Sequence, residues 1–457
     1  MRPERTRRDF LRRAAAGGLG LLVLRDPRSA RAYAENGRLG MALIGAGGRG
    51  RWFVDTIPQR ERLVALCDVN EERAAESYRK LPDAPKFRDY RKMLDELGRS
   101  IDAVIIAAPD HIHAPATARA LRMGKPVYCE KPLTNSVRDA RAVRDLARSR
   151  KLATQMGNQG TASAPFREAA EIVRAGLLGE IREVHVWNDA GGPDHEKAPE
   201  GSEPVPPHLA WDLWLGPSAF RPYHPAWLQW HGWRDFGTGN LGNWASHTAN
   251  LAFFALEVAS LWKPSEGPAR TIRIEAKVSR RNRLSYPRWE LVRWEVPARG
   301  ALPPVRITWH NGQGAGTRAQ IEDLLGDEID WGDKKEKKWK DFAGLLLVGT
   351  KAKLHATGHN ATYRLLPEAE FKDFKPPPRT LPRSPGHEQE WIDACRGGPP
   401  AMSNFEYSGP LAEFLLLGNA ATQFEGPLEF DPVACKVTND PDADRSLSRE
   451  HRDGWEV

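Results

Sequence analysis

Three glycines with a characteristic spacing follow the first long apolar run after the N-terminal segment and could hold a phosphate group. Gly45, Gly47 and Gly50 form a G-x-G-x-x-G motif at the end of the run LGMALIG, residues 39–45. Such glycines let the backbone approach a pyrophosphate, and a helix that starts there directs its positive dipole towards the same group. Asp68 ends the next apolar run, where a carboxylate can accept hydrogen bonds from ribose hydroxyls and repel a 2′-phosphate. The combination predicts a dinucleotide site that prefers NAD to NADP.

Two stretches at the ends of later apolar runs carry further reactive side chains. The stretch AAPDHIHAPA contains Pro109 and His113, and the stretch CEKPLT contains Glu130 and Lys131. Open parallel sheets place their ligands at the carboxyl ends of the strands, so both stretches should face one crevice. The ammonium of Lys131 could stabilise negative charge that develops on a reacting oxygen, and Glu130 could anchor a ribose or orient the lysine. The alternative interpretations are a surface lysine and a helix-capping histidine.

The elements that would position these residues alternate between strand and helix. Five apolar runs predict buried strands, at 39–45, 62–68, 101–109, 125–131 and 151–156. Helical patterns such as VNEERAAESYRKL lie between the runs, and this alternation predicts an α/β chain with a doubly wound parallel sheet, the Rossmann fold. From about residue 268 apolar and polar residues alternate, which is typical of an antiparallel sheet. We predict a Rossmann domain at 35–160 and a second domain at 161–457.

Taken together, these motifs resemble the Gfo/Idh/MocA family of oxidoreductases. The resemblance rests on the glycine motif, Asp68, Pro109 with His113, EKP at 130–132 and QMGNQG at 155–160. Three longer stretches resemble exported bacterial members: VYCEKPL at 127–133, WDLWLGP at 211–217 and EFLLLGN at 413–419. The resemblance implies a C-terminal α/β domain with a large, mostly antiparallel open sheet, through which a homo-oligomer is expected to form. The nucleotide site predicted on this basis comprises Gly45, Gly47, Arg49, Gly50, Asp68, Pro109, His113, Glu130, Lys131 and Gln159.

The resemblance also implies catalytic roles. It makes Lys131 the active-site lysine and His247 the histidine that donates and accepts a proton, kept neutral by the nearby lysine. Asn243 stands where the family usually has an aspartate, and Asn250 stands where a further aspartate is common. An asparagine can hydrogen-bond a sugar hydroxyl but cannot take its proton, so proton transfer would fall to His247 alone. The alternative is that His247 is a core histidine.

A segment rich in tryptophan precedes His247. Residues 211–244 contain six tryptophans, namely Trp211, Trp214, Trp227, Trp230, Trp233 and Trp244. Aromatic faces beside hydrogen-bonding groups suit sugar rings, although a long loop held by aromatic packing would use the same residues. We expect Trp214 and Trp233 to be structural, and Trp230 and His231 to lie nearer the ligand. The predicted carbohydrate site therefore comprises Trp230, His231, Asn243 and His247.

The N-terminal residues resemble an export signal. The stretch TRRDFLRR at 6–13 precedes the short apolar run GGLGLLVL, a layout typical of a twin-arginine leader that ends at about residue 34. This route carries folded proteins through the twin-arginine export machinery, so we expect a periplasmic or secreted protein that leaves with its cofactor bound. Residues 1–34 hold nine Arg, no Lys and three acidic residues, and their removal would lower the net charge from +7 to +1. This charge balance argues against a nucleic-acid partner.

Other features argue against a membrane span and a metal site. The apolar run of the leader is too short to cross a membrane, so no membrane association is expected after its removal. The basic run at 332–342 is interleaved with acidic residues, and we interpret it as a solvated loop. The four cysteines show no metal-site spacing, and a protein folded in the cytoplasm is expected to lack disulfides.

Three functions remain open from the sequence. The first is an exported NAD-dependent oxidoreductase that acts on a sugar or sugar derivative with a tightly held cofactor, which the motifs favour directly. The second is an NAD-dependent glycoside hydrolase that oxidises the sugar transiently, eliminates the aglycone, adds water and reduces the sugar again. This cycle needs no external NAD pool. The third is a non-catalytic sugar-binding protein that retains NAD, an interpretation left open by Asn243 and Asn250.

Overall fold

A parallel sheet of six strands forms the first half of the fold. The computed structural model describes residues 37–266, 269–312, 314, 317–325 and 342–457. The strands are β1 Gly40–Ile44, β2 Arg62–Cys67, β3 Lys86–Phe87, β4 Ala103–Ile106, β5 Val127–Cys129 and β6 Thr154–Met156, in the order β3-β2-β1-β4-β5-β6. β1 and β4 are buried along their whole length, which explains their continuous apolar sequences.

Helices cover both faces of this sheet. They are α1 Gly50–Thr56, α2 Glu71–Lys80, α3 Tyr90–Leu97, α4 Asp110–Arg122, α5 Val137–Arg150 and α6 Ala164–Arg174. Phe53 of α1 and Ala74 of α2 belong to the apolar cluster on one face, whereas Met93 of α3 and Val143 of α5 belong to the cluster on the other. Side chains cap four of these helices at their first turn: Asn70, Asp89, Ser136 and Ser163. The predicted doubly wound α/β arrangement is confirmed.

A mixed sheet of nine strands forms the second half. The strands are β7 Ile181–Asn188, β8 Ile272–Val278, β9 Glu290–Val296, β10 Val305–Asn311, β11 Ala343–Gly349, β12 Lys353–Thr357, β13 Tyr363–Leu366, β14 Leu428–Asp431 and β15 Lys436–Val437. Their order is β13-β12-β11-β7-β10-β9-β8-β14-β15. Among these described strands β7 and β10 pair in parallel and the other neighbours are antiparallel. The expected large, mostly antiparallel open sheet is therefore confirmed.

The remaining helices follow β7 along the chain. They are α7 Trp211–Leu215, α8 Gly239–Thr248, α9 Asn250–Ala255, α10 Thr317–Leu325, α11 His387–Cys395, α12 Phe405–Ala421 and α13 Pro441–Ser446. α12 packs against α5 of the first half and against α8 and β8 of the second. Glu413 of α12 is fully buried and pairs with Arg141 of α5 at 2.8 Å. α12 therefore packs against both halves of the fold and supports α8.

Several sequence predictions bear on this fold. The four cysteines, Cys67, Cys129, Cys395 and Cys435, are free. The described residues contain no helix long and apolar enough to cross a membrane, and no group of three potential metal ligands of the His, Cys, Asp or Glu type. The predicted leader and the basic run, apart from Phe342, lie outside the described residues. The domain boundary at 160/161 stays a prediction.

Candidate active site

The glycine loop after β1 is shaped by two close backbone approaches. Gly45 has φ +87°, and a Cβ there would lie 2.6 Å from the carbonyl carbon of Ala107. A Cβ on Gly50 would lie 1.8 Å from the carbonyl oxygen of Gly45. Other residues would displace the loop from β4 or from the start of α1. Gly47 and Gly48 between them line a cavity.

Asp68 closes the loop from the end of β2. Its Oδ2 accepts a hydrogen bond from the Gly47 N–H at 2.8 Å, and its Oδ1 accepts one from the Asn70 N–H at 2.8 Å. Burial raises the pKa of Asp68, while these amide bonds and the charge of Arg73 oppose the shift. Each carboxylate oxygen can accept more than one hydrogen bond, so capacity remains for a ribose diol.

Glu130 follows β5 and holds two other cavity residues in place. Its Oε1 accepts hydrogen bonds from Arg49 Nε at 2.8 Å and from Gln159 Nε2 at 3.3 Å. Its Oε2 lies 3.3 Å from the Lys131 backbone nitrogen, which donates to it. Glu130, Arg49 and Gln159 all line the cavity. The carboxylate therefore orients the backbone of Lys131 and fixes the side chain of Arg49 in the glycine loop.

Lys131 and two residues of α8 come together across the two halves of the chain. Lys131 Nζ donates a hydrogen bond to Asn243 Oδ1, although the two residues are 112 positions apart. Asn243 and His247 are one turn apart on α8, so their side chains share a face. Lys131 and His247 both line the cavity. The structure thus assembles the predicted catalytic residues Lys131, Asn243 and His247 into one group.

The electrostatics of this group keep His247 uncharged. Its side chain is buried, and Nδ1 has no hydrogen-bond partner among the described residues. Burial, followed by the charge of Lys131, holds the pKa of His247 well below its usual range. The pKa of Lys131 is itself lowered by burial, with Glu130 and Asp110 opposing the shift. A neutral imidazole that lines the cavity is suited to accept a proton from a bound hydroxyl, whereas the unpartnered Nδ1 is itself buried.

The structure adds His359 to the site, which the sequence did not suggest. His359 lies in the turn between β12 and β13, lines the cavity, and its ring centroid is 4.5 Å from that of His247. A Cβ on Gly160 would lie 2.0 Å from the His359 carbonyl oxygen, so this turn fits against the loop after β6 only because Gly160 has no side chain. An isolated histidine after a strand gave no sequence signal for this contact.

Asp110 is the second residue that the structure adds to the predicted site. It is 2% exposed at the first turn of α4, lines the cavity, and its Oδ2 accepts a hydrogen bond from Thr238 Oγ1 at 2.7 Å. Burial raises the pKa of Asp110 to about 7, with Thr238 and the charge of Lys131 opposing the shift. Its place beside Pro109 at a strand end is the sequence signal for this role. Pro109 also lines the cavity.

The structure gives His113 a different place from the predicted nucleotide contact. The side chain is buried, with Nδ1 2.6 Å from the Pro132 carbonyl oxygen and Nε2 2.8 Å from that of Ala108. Both ring nitrogens therefore face backbone carbonyls, and burial lowers the pKa of His113 to about 4. His113 is not among the residues that line the cavity. It ties together the two strand ends that present Asp110 and Lys131, which is a positioning role.

The tryptophan-rich segment divides between a small core and the cavity. Trp233 is buried in a cluster around Trp227 and Phe236, and its Nε1 donates to the Ala226 carbonyl oxygen at 2.9 Å. Trp230 and His231 line the cavity with their rings stacked, 3.5 Å between centroids. Trp214, which was expected to be structural, belongs to the buried cluster and also lines the cavity. Asn250 does not line the cavity and instead forms hydrogen bonds with Thr161 and Tyr407.

These residues surround one cavity of about 750 Å³ that reaches from the glycine loop to His247. This volume falls in the range of small-molecule and cofactor sites. The glycine loop and Asp68 occupy one part, where the backbone leaves room for a pyrophosphate. Lys131, His247 and Trp230 occupy another part. The residues present fit NAD together with a smaller polar molecule.

We predict that Asp68→Ala weakens NAD⁺ binding about tenfold or more and shifts preference towards NADP⁺. The variant loses hydrogen bonds to the ribose, and Arg73 at the same edge of the cavity then meets a 2′-phosphate without a competing carboxylate. Titration of both nucleotides into the wild type and the variant measures the effect. Asp55→Ala, which removes an exposed carboxylate paired with Lys80, is the matched control. Unchanged relative affinities in Asp68→Ala would contradict this role.

Two family models match adjacent parts of the chain. The model described as the oxidoreductase family, NAD-binding Rossmann fold, of Gfo/Idh/MocA matches residues 39–158. The model of the C-terminal α/β domain of the same family matches residues 164–265.

Individual relatives agree with these matches. Inositol 2-dehydrogenase of Corynebacterium glutamicum is 30% identical over 145 residues, 31% of this chain and 43% of the relative. The chain spans less than half of the length of the curated relatives it matches. An aldose-aldose oxidoreductase from Caulobacter crescentus has a similar structure, with a TM-score of 0.56 and 15% identity over 86% of this chain and 100% of that one. Levoglucosan dehydrogenase in complex with NADH superposes with a TM-score of 0.55 at 15% identity, covering 86% and 99% of the two chains.

Proposed function

The chain belongs to the Gfo/Idh/MocA oxidoreductase family, and from this premise we propose that it is an NAD-dependent oxidoreductase acting on a hydroxyl group of a sugar or sugar derivative. The observation that carries the proposal is that Lys131 and His247 line the same cavity as the glycine loop and Asp68, with Asn243 hydrogen-bonded to Lys131 just outside the lining residues. Relatives and structural neighbours whose names include inositol, levoglucosan and aldose substrates support a polyhydroxylated substrate.

Different side chains of the cavity would bind the substrate, accept its hydroxyl proton and stabilise the resulting charge. Bound NAD⁺ would accept the hydride from the hydroxyl-bearing carbon. His247, neutral at the cavity wall, takes the hydroxyl proton, and the Lys131 ammonium stabilises the charge that develops on the oxygen. Asn243 holds the lysine in position through its amide oxygen. Trp230 offers an aromatic face to the ring of the sugar.

Asp110 supplies a second proton acceptor, and we predict that it sets the acidic limb of the pH profile. With a pKa of about 7 it is protonated below that pH and ionised above it, so kcat/KM for oxidation should rise as the pH rises through about 7. His247 does not account for a limb there, because its pKa lies well below the usual range. In Asp110→Asn this limb should disappear, while the exposed control Asp95→Asn keeps it. An unchanged limb in Asp110→Asn would assign it to another group.

We also propose that the protein is exported by the twin-arginine route with NAD already bound. The arginine pair at Arg7 and Arg8 supports the route, and the C-terminal tail supports retention of the nucleotide. Trp455 in that tail lines the cavity, packs on Tyr90 beside the end of β3, and lies 4.1 Å below the Arg91 guanidinium. The aromatic ring therefore covers the side of the cavity where Asp68 lies.

Nucleotide analysis of the exported protein tests this proposal. We expect protein purified from the periplasmic fraction, without added nucleotide, to release close to one equivalent of NAD or NADH when it is denatured and analysed by chromatography. Protein expressed without residues 1–34 should stay in the cytoplasm with the same content. Nucleotide-free protein in the periplasm would contradict export of the loaded form.

A redox-neutral glycoside hydrolase is the second candidate, and Asp110 is the observation that favours it. In such a cycle the sugar is oxidised, loses its aglycone by elimination, gains water and is reduced again. Elimination and hydration need a group that exchanges a proton near neutral pH, which suits the pKa of about 7 for Asp110. Release of nitrophenol from a panel of nitrophenyl glycosides without added NAD would support this cycle. Net NADH formation from a free sugar would instead favour the dehydrogenase.

The second sheet supports the proposal of a homo-oligomer. On one face a ladder of charged residues of opposite sign crosses four neighbouring strands, comprising Arg273, Glu295, Arg306 and Glu183. Arg306 pairs with Glu295 at 2.7 Å and with Glu183 at 3.8 Å. Such a face suits a polar contact with a second copy, and a monomer in analytical ultracentrifugation would contradict it.

A further inference from the structure

A second cavity of about 390 Å³ lies between the two halves of the fold, apart from the candidate active site. Its wall combines the residues before α5, the loop at 217–221, α12 and the tail at 446–451. The residues that line it do not overlap with those that line the first cavity. The volume is at the small end of the range for ligand sites but exceeds what a bare ion needs.

Four arginines line this cavity, and three of them lack a carboxylate partner within ion-pair distance among the described residues. Arg221 pairs with Asp235 at 2.6 Å. Arg234, Arg283 and Arg449 form no such pair, although Asp235 and Glu450 also line the cavity. A local excess of positive charge in a partly enclosed site is unfavourable unless an anion enters.

Arg234 is the clearest example of an arginine in this cavity without a carboxylate partner. The residue is 5% exposed, and within the described part of the chain its guanidinium donates only to neutral oxygens: the carbonyl groups of Asn282, Ser285 and Asn419 and the hydroxyl of Thr422. Its outer face lies against the Tyr286 ring at 4.5 Å. Arg449 donates a hydrogen bond to the Arg234 carbonyl oxygen, which fixes the second guanidinium close to the first residue. The buried guanidinium therefore has no carboxylate within ion-pair distance among the described residues, and the charge of Glu290 acts on it only from farther away.

The start of α5 also borders the cavity, and its dipole is partly offset by Asp139 in the first turn, which lies 3.2 Å from His451. Asn135, Ser136 and Val137, the residues at the N-terminus of this 14-residue helix, line the cavity. The positive end of a helix dipole stabilises an anion near its first turn. The helix end and the three arginines come from separate parts of the chain, so their convergence is not a consequence of sequence proximity.

We propose that this second cavity binds an oxyanion, a phosphate or carboxylate group carried by a small polar molecule. Arg283 and Arg449 are the accessible guanidinium groups that would contact it, and Arg234 with the start of α5 would supply the field behind it. Both phosphate and carboxylate accept paired hydrogen bonds from an arginine fork.

The position of the cavity would couple ligand binding to the active site. Asn419 lines the second cavity and donates through Nδ2 to the Thr238 carbonyl oxygen at 2.7 Å, and Thr238 in turn bonds Asp110. Arg449 also belongs to the tail that carries Trp455 to the first cavity. A ligand on Arg449 would therefore hold in place the segment that covers the nucleotide.

Isothermal titration into NAD-saturated protein tests the proposal, because bound NAD occupies the glycine loop, the other site for phosphate. The probes are inorganic phosphate, glucose 6-phosphate and gluconate, with glucose as the neutral comparison. We expect saturable binding of at least one anion, weakened about tenfold or more in Arg283→Gln and in Arg449→Gln. Arg364→Gln, on an exposed β13 arginine that pairs with Glu368, is the matched control and should bind as the wild type. Melting temperatures of the variants verify that they fold.

Comparison of the probes distinguishes a free anion from an anionic group carried by a larger molecule. Equal affinity for inorganic phosphate and glucose 6-phosphate would identify the free ion as sufficient, whereas tighter binding of an organic anion would show that the rest of the cavity is used. No saturable binding of any anion would overturn the proposal. Binding that both Arg283→Gln and Arg449→Gln leave unchanged would place the anion elsewhere and overturn it as well.

Discussion

Replacing Lys131 with alanine is expected to lower kcat by about 10²–10³-fold while NAD remains bound. The ammonium group is buried beside Asn243 at the cavity, where low solvent exposure strengthens its effect on a developing negative charge. The glycine loop and Asp68, which hold the nucleotide, do not depend on this side chain. The measurement is the rate of nicotinamide reduction with the best substrate of a sugar panel, together with the nucleotide content of each protein.

Lys125→Ala is the matched control for this experiment. Lys125 lies just before β5 and Lys131 just after it, so both substitutions remove a lysine next to the same strand. Only the second lysine lines the cavity. Full turnover in Lys131→Ala would contradict the proposed mechanism. A wild-type protein that binds sugars, retains NAD and shows no Lys131-dependent turnover would instead support the non-catalytic sugar-binding protein.

Replacing His247 with alanine is expected to lower kcat by about 10²–10⁴-fold, the usual contribution of a positioned general base. His359, whose ring contacts that of His247, is not expected to replace the missing base. It lies on the turn between β12 and β13 and not on the face of α8 that carries Asn243. The depressed pKa of His247 means that the wild-type imidazole stays neutral from the alkaline range down to well below pH 6.5. Wild-type activity should therefore show no loss from protonation of this residue at neutral pH.

Chemical rescue distinguishes proton transfer from simple packing in the His247 variant. Added imidazole should restore part of the activity of His247→Ala if the missing function is that of a base, because the substitution opens space at the cavity wall. His208→Ala, which removes a surface histidine beside Glu72, should keep wild-type activity and show no response to imidazole. A His247→Ala protein that folds, binds NAD and turns over at the wild-type rate would assign the proton transfer to Asp110 or His359.

Much of the first half of the fold follows from local sequence. The runs at 39–45, 62–68, 101–109, 125–131 and 151–156 contain β1, β2, β4, β5 and β6. Strands that are buried on both faces must be apolar throughout, so such runs are visible without any knowledge of their partners. β3 has two residues, Lys86 and Phe87, and it was not predicted because so short an element has no periodicity.

The nucleotide loop was also determined by local sequence. The positive φ of Gly45 and the close approach of Gly50 to its carbonyl oxygen lie within a six-residue stretch, so the need for glycine is encoded where it acts. Asp68 could be paired with this loop because the order of strand, loop and strand fixes their neighbourhood. For the same reason Glu130 and Lys131 could be placed at the crevice from their position after an apolar run.

The tertiary structure decided which polar residues share the cavity. His113 and Asp110 lie in one short stretch, yet α4 turns the first towards the Pro132 and Ala108 carbonyls and leaves the second at the cavity wall. His359 reaches His247 from a distant hairpin turn, and Trp455 reaches the nucleotide side from the last residues of the chain. Local sequence determines backbone conformation and strand burial, because these depend on neighbouring residues. The partners of a buried charge depend on how distant segments pack, and the tertiary structure alone decides them.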